Sequence, residues 1–115
     1  WSSDVCSSDL DDITVELIEK GAKGSISVTG NLVPKEWAHC VEEALLGNIE
    51  KAKELYAKLD PLCRAMFLET NPQCIKYAMS LKGACAPFMR LPLLPPSPTT
   101  KTLVKSAYEA FLRSV

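Results

Sequence analysis

The chain has 115 residues, 47% of them hydrophobic and 23% charged, with a formal net charge of −1. That apolar content suits one modest core, and the near-neutral mixture of signs leaves no electrostatic footprint for nucleic acid or a membrane surface. No apolar run approaches the roughly 18 residues that a bilayer-spanning helix needs.

The head, WSSDVCSSDL, is unlike everything after it, with no Lys or Arg and no hydrophobic period. A secretory signal needs a basic start, an apolar stretch of about seven to fifteen residues and a small-residue cleavage site; a transit peptide is Arg-rich and acid-poor. Asp4 and Asp9 sit in this head without a base. A polar disordered tail fits the composition, but the codons TGG AGT TCA GAC GTG TGC TCT TCC GAT CT spell these same ten residues. That string resembles a common short-read sequencing adapter. Residues 1–10 are therefore read as a translated scar and set apart from the fold, Trp1 and Cys6 included. Removing Asp4 and Asp9 takes 14 acidic residues to 12 against 13 basic ones, so the formal charge moves from −1 to +1.

Thr14 to Lys20 carries Val15, Leu17 and Ile18 and predicts a short helix ended by Gly21. The following GSISV, bounded by glycine and turn residues, predicts a buried strand over 24–28. Helices before and after it give the rhythm of a βα unit. Pro34 suits the first turn of a helix, whose apolar face is Trp37, Cys40, Val41, Ala44 and Leu45. Gly47 stops it and Asn48 can cap the next. That next helix places Ile49, Ala52, Leu55, Tyr56, Leu59, Leu62, Cys63 and Met66 on one side, with Pro61 predicting a kink or break near Leu59–Asp60. Asn71–Pro72 predicts an N-cap followed by proline and a helix to about Leu81, ended by Gly83. Ser97–Pro98 repeats the device before a last helix with Val104, Tyr108 and Phe111. Between them lies the proline-rich connector RLPLLPPSP.

Candidate chemistry is sparse. Cys40, Cys63, Cys74 and Cys85 form no C-x-x-C pair, so zinc and thioredoxin spacings are missing. His39 adjoins Cys40, but neighbours on a helix point about 100° apart. The four thiols are read as buried small side chains in a reducing compartment. GAKGS lacks the spacing of a phosphate-binding loop. One strand with about five helices poses a physical problem, because a parallel strand leaves unpaired N–H and C=O groups on each edge. Its partners are expected to lie in a part of the protein upstream of Asp11.

Three segments in order resemble the 4-hydroxy-tetrahydrodipicolinate synthase (dihydrodipicolinate synthase) family. GAKGSISVTGNLVPKE resembles its eighth strand and following loop, LDPLCRAMFLETNPQCIKYAMSLKG a later L-x-P-L…F-x-E-x-N-P segment, and RLPLLP its R-L-P-L-x-P. The resemblance runs over residues 11–115. It implies an α/β fold: the end of a (β/α)8 barrel over 11–46, with last strand and helix, and an α-helical domain over 47–115, mostly helical as a piece. It also implies a cytoplasmic homotetramer without cofactor that condenses pyruvate with L-aspartate 4-semialdehyde through a lysine Schiff base in lysine biosynthesis.

The resemblance places the Schiff-base lysine, the proton-relay tyrosine and threonines and the carboxylate-binding arginine upstream, so no catalytic residue is expected here and the piece is expected to be inactive. Lys23 precedes the strand, whereas barrel sites gather at the strands' C-terminal ends. Lys76, Arg90, Tyr56, Tyr77 and Tyr108 fall on the helical part or its connector, where packing or solvation suffices. Ile26 alone carries over, as the position whose backbone carbonyl lines the pyruvate pocket; its side chain suits a barrel core equally. Thr29, Gly30 and Asn31 follow as rim. Two departures stand out: Ser25 replaces the family's usual valine and needs a hydrogen-bond partner, and Gln73–Cys74 interrupt the usual N-P-I-P. Sister pyruvate-dependent aldolases, of the N-acetylneuraminate or 2-keto-3-deoxy sugar-acid type, are the alternative within the class. A small helical interaction module using Pro92-x-x-Pro95 as a polyproline ligand is the alternative outside it.

Overall fold

A computed structural model describes residues 11–115; the head read as adapter, with Trp1 and Cys6, lies outside the described residues. The described residues form five α-helices: α1 (Thr14–Glu19), α2 (Pro34–Leu45), α3 (Ile49–Met66), α4 (Gln73–Leu81) and α5 (Pro98–Ser114). Two 3-10 turns, Asp11–Ile13 and Thr29–Asn31, precede α1 and α2. The chain divides into two compact units, one ending at Asp60 and the other running from Pro61 to Val115.

In the first unit α1 packs on α2, and α2 packs on the 3-10 turn at Thr29–Asn31. The apolar spacing of the sequence explains the contact: Val15 and Ile18 of α1 and Trp37, Cys40 and Ala44 of α2 are buried, joined by Leu32 and Val33. Pro34 opens α2 at a position whose N–H has no intrahelical partner in any helix. Gly47 closes it with φ +87°, a conformation that an L side chain adopts only at a cost. Asn48 then starts α3: its carbonyl accepts from Ala52 N at 3.0 Å, and its side-chain amide donates to Glu43 Oε2 at 2.8 Å.

The second unit buries Leu62, Met66, Cys74, Ile75, Ala78, Val104, Tyr108 and Phe111, and α4 packs on α5. Ser97 caps α5 as expected, accepting from Thr100 N at 3.3 Å. Glu69 reinforces this end by accepting from Ser97 N at 2.9 Å. Hydrogen bonds from Thr100 and Ser97 hold its carboxyl below the usual glutamate range.

Three expectations change. The strand over 24–28 is not formed: Ser25 alone has bridge geometry, and no strand is assigned among the described residues. A strand exists only through ladder bonds to a neighbour, and no partner strand is assigned among the described residues. Pro61 does not break α3, which runs through it, although the division between the two units falls beside it. Asn71 is not the cap of α4; Pro72 holds that position, and Gln73 N bonds to Thr70 O in the turn before it.

Candidate functional site

The segment 25–31 is where the sequence places its one candidate binding residue. It joins α1 to α2 and is held by hydrogen bonds to side-chain oxygens. Ser25 Oγ accepts from the Trp37 indole Nε1 at 3.3 Å, which gives the unusual serine its hydrogen-bond partner. Ser27 Oγ accepts from Gly30 N at 2.8 Å. Thr29 N donates to Asp11 Oδ2 at 2.9 Å, with both residues buried. Between these tethers Ile26 turns the other way, its side chain 68% exposed. Its core reading therefore does not hold here: the Ile26 side chain faces solvent.

The loop after Ile26 is closely built. A Cβ on Gly30 would meet Ser27 Cβ and Trp37 Cδ1 at 3.2 Å, tighter than ordinary contact, so any larger residue would have to push Ser27 or the indole aside. Asn31 Nδ2 donates to the carbonyls of Ser27 and Val28 at 3.1 Å each, closing the turn. Thr29 O accepts from Leu32 N at 2.9 Å and Val33 N at 3.2 Å, which leads the chain into α2.

This cluster holds a carboxyl group, three hydroxyls and a carboxamide, and it has no amine with which to form an imine. Lys23 is exposed. Tyr56 Oη donates to Asp60 Oδ1 at 3.3 Å, Lys101 Nζ lies 5.7 Å from the Tyr77 ring centre, Tyr108 is buried, and Arg90 is exposed. Lys76 is half-buried on α4, where its carbonyl accepts from Cys85 Sγ at 3.7 Å. None of these stands in the 25–31 cluster. Cys40, Cys63 and Cys74 are buried thiols, as expected, while Cys85 is half-exposed. No group of three or more metal-binding side chains occurs among the described residues, and no described helix is long and apolar enough to cross a membrane.

The connector is not a continuous polyproline helix. Leu93 N bonds to Arg90 O at 3.1 Å, closing a turn over Leu91–Pro92, whereas a polyproline helix has no internal hydrogen bonds. Two participants in the site escaped sequence reasoning. Asp11 adjoins the anomalous head and lies 18 residues from its partner, a separation that no local pattern encodes. Trp37 showed only as an apolar position, although an indole N–H twelve residues from an unusual serine was a usable hint.

A profile described as the dihydrodipicolinate synthetase family matches residues 4–111, which takes in part of the head read as adapter. A curated relative from Methanocaldococcus jannaschii, named 4-hydroxy-tetrahydrodipicolinate synthase, is 45% identical over 96 residues, covering 84% of this chain and 33% of the relative. This chain thus spans about a third of that relative's length. Among solved structures, the dihydrodipicolinate synthase of Aquifex aeolicus superposes with a TM-score of 0.92 at 34% identity, over 95% of this chain and 37% of that one. A chloride-inhibited dihydrodipicolinate synthase from Acinetobacter baumannii, complexed with pyruvate, superposes at 0.85 with 32% identity, over 88% of this chain and 35% of that one.

Proposed function

This chain belongs to the dihydrodipicolinate synthetase family, and on that premise we propose that it is the C-terminal third of a 4-hydroxy-tetrahydrodipicolinate synthase. The whole enzyme is a lyase-class synthase joining pyruvate to L-aspartate 4-semialdehyde, on the route through diaminopimelate to lysine. What carries the reading is collinear identity: 45% over 96 residues with a relative of that name, within one third of its length. The pyruvate-bound structural neighbour at 32% identity supports the first substrate.

The chemistry is nucleophilic catalysis by an amine. A lysine nitrogen attacks the ketone carbon of pyruvate, water leaves, and the resulting imine makes the adjacent methyl acidic enough to form an enamine that attacks the aldehyde. The lysine belongs to the upstream barrel. This chain contributes the Ile26 carbonyl oxygen to the pyruvate pocket; an acceptor beside a protonated imine favours its charged form. Residues 11–46 close the (β/α)8 barrel, where residues 24–28 pair as the eighth strand once its neighbours are present, and residues 47–115 form the helical domain. The full enzyme works as a cytoplasmic homotetramer without a cofactor.

Borohydride trapping with pyruvate, read by mass spectrometry, tests this. The 115-residue chain alone gives no adduct. A hybrid in which the upstream two-thirds of the Methanocaldococcus jannaschii relative leads into Asp11 gives a pyruvate adduct on an upstream lysine. An adduct on the chain alone, or none on the hybrid, overturns the reading.

A further inference from the structure

We propose that Asp11 is a positioning residue for the substrate pocket, acting through the Thr29 amide to set the direction of the Ile26 carbonyl. The inference rests on the functional reading above for its consequence and on the geometry of this chain for its mechanism. Asp11 is 1% exposed and Thr29 is fully buried. Withdrawing a carboxylate from water is costly unless hydrogen bonds replace the lost hydration. Here one oxygen, Oδ2, accepts from Thr29 N at 2.9 Å, while Oδ1 and the neighbouring Thr29 Oγ1 are buried with no protein partner. A buried polar group left half-satisfied costs stability. A core position filled for stability alone would carry an apolar side chain.

What the carboxylate does is local. Thr29 opens the 3-10 turn, and its amide is one that the turn itself leaves unbonded. Asp11 takes that amide and so ties the far end of the Ile26 segment to the start of α1. Ser25, bound to Trp37 Nε1, ties the near end. Ile26 therefore lies between two tied residues, Ser25 and Thr29, which narrows the paths the backbone can take between them. Of the two, the Asp11 tie is the buried one and closes over 18 residues of chain.

Two measurements test this and separate it from the enzyme reading. In the 115-residue chain, hydrogen exchange at the Thr29 amide is expected to speed up about tenfold in Asp11→Ala, with α5 amides unchanged as a folding control. Asp11→Asn, whose side-chain oxygen still accepts, restores much of the protection. Unchanged Thr29 exchange in Asp11→Ala overturns the proposal whatever the enzyme does. In the hybrid, Asp11→Ala is expected to raise KM for pyruvate about tenfold with a smaller change in kcat, and Asp11→Asn to recover most of it. Equal KM values in the parent and Asp11→Ala hybrids overturn the positioning role. An inactive parent hybrid counts against the enzyme reading, and Thr29 exchange then decides the role of Asp11.

Discussion

Cys40 shows how a single side chain reports its surroundings. It is 1% exposed, its thiol donates to Ala52 O at 3.4 Å, and burial pushes its pKa up to about 11. Cys74 is also raised, again mainly by burial, and Cys63 is 3% exposed. Since the thiolate is the reactive form, Cys85 should label first with iodoacetamide at pH 8 among these four. The other three should label only once the chain is denatured. Peptide mass mapping after timed labelling checks this, and early modification of Cys40 would contradict its burial. Packing can be probed at the same scale. Leu32 has no exposed surface, so Leu32→Ala should cost about 2–5 kcal/mol by urea unfolding. Leu112, half exposed on α5, should cost under about 0.5 kcal/mol when replaced by Ala.

Among the helices, α5 has the most explicit start signal. Ser97 Oγ accepts from Thr100 N, and Glu69 accepts from Ser97 N across 28 residues of chain. Ser97→Ala should therefore cost about 1 kcal/mol. Glu69 adds a pH dependence whose sign follows from its lowered pKa, caused first by the Thr100 hydroxyl and then by the Ser97 amide. A carboxyl whose folded value lies below its unfolded value stabilises fully above the unfolded value, about 4.3 for glutamate. That contribution is lost as pH falls through the lower folded value. Thermal melts should show Glu69→Gln less stable than the parent at pH 7, with the gap closing as pH falls below about 4. A gap that stays constant with pH would rule the carboxylate out as its source.

Across the described residues, several large apolar side chains are exposed to solvent. Ile26 stands 68% exposed in the first unit; Phe88 and Leu91 stand 70% and 81% exposed on the connector of the second. Exposed apolar groups of this size are candidate contacts for further protein, and the chain spans about a third of the length of a curated relative it matches. The chain should enhance the fluorescence of an apolar dye such as ANS at neutral pH, and Phe88→Ser with Leu91→Ser should reduce that signal. Equal dye binding by the double variant would place the exposed surface elsewhere.

The helices were legible in the sequence because their hydrogen bonds close within four residues. Apolar spacing together with Pro34, Gly47 and Ser97 marked α2 and α5, and the three family-like segments stood in order along the chain. Only the tertiary structure decided what became of residues 24–28, because a strand depends on neighbours that its own residues do not specify. It likewise decided that Ile26 faces outward and that Ser25 is satisfied by Trp37. The bond from Thr29 to Asp11 closes over 18 residues. Such a contact is encoded by the folded path of the chain, not by any period along it.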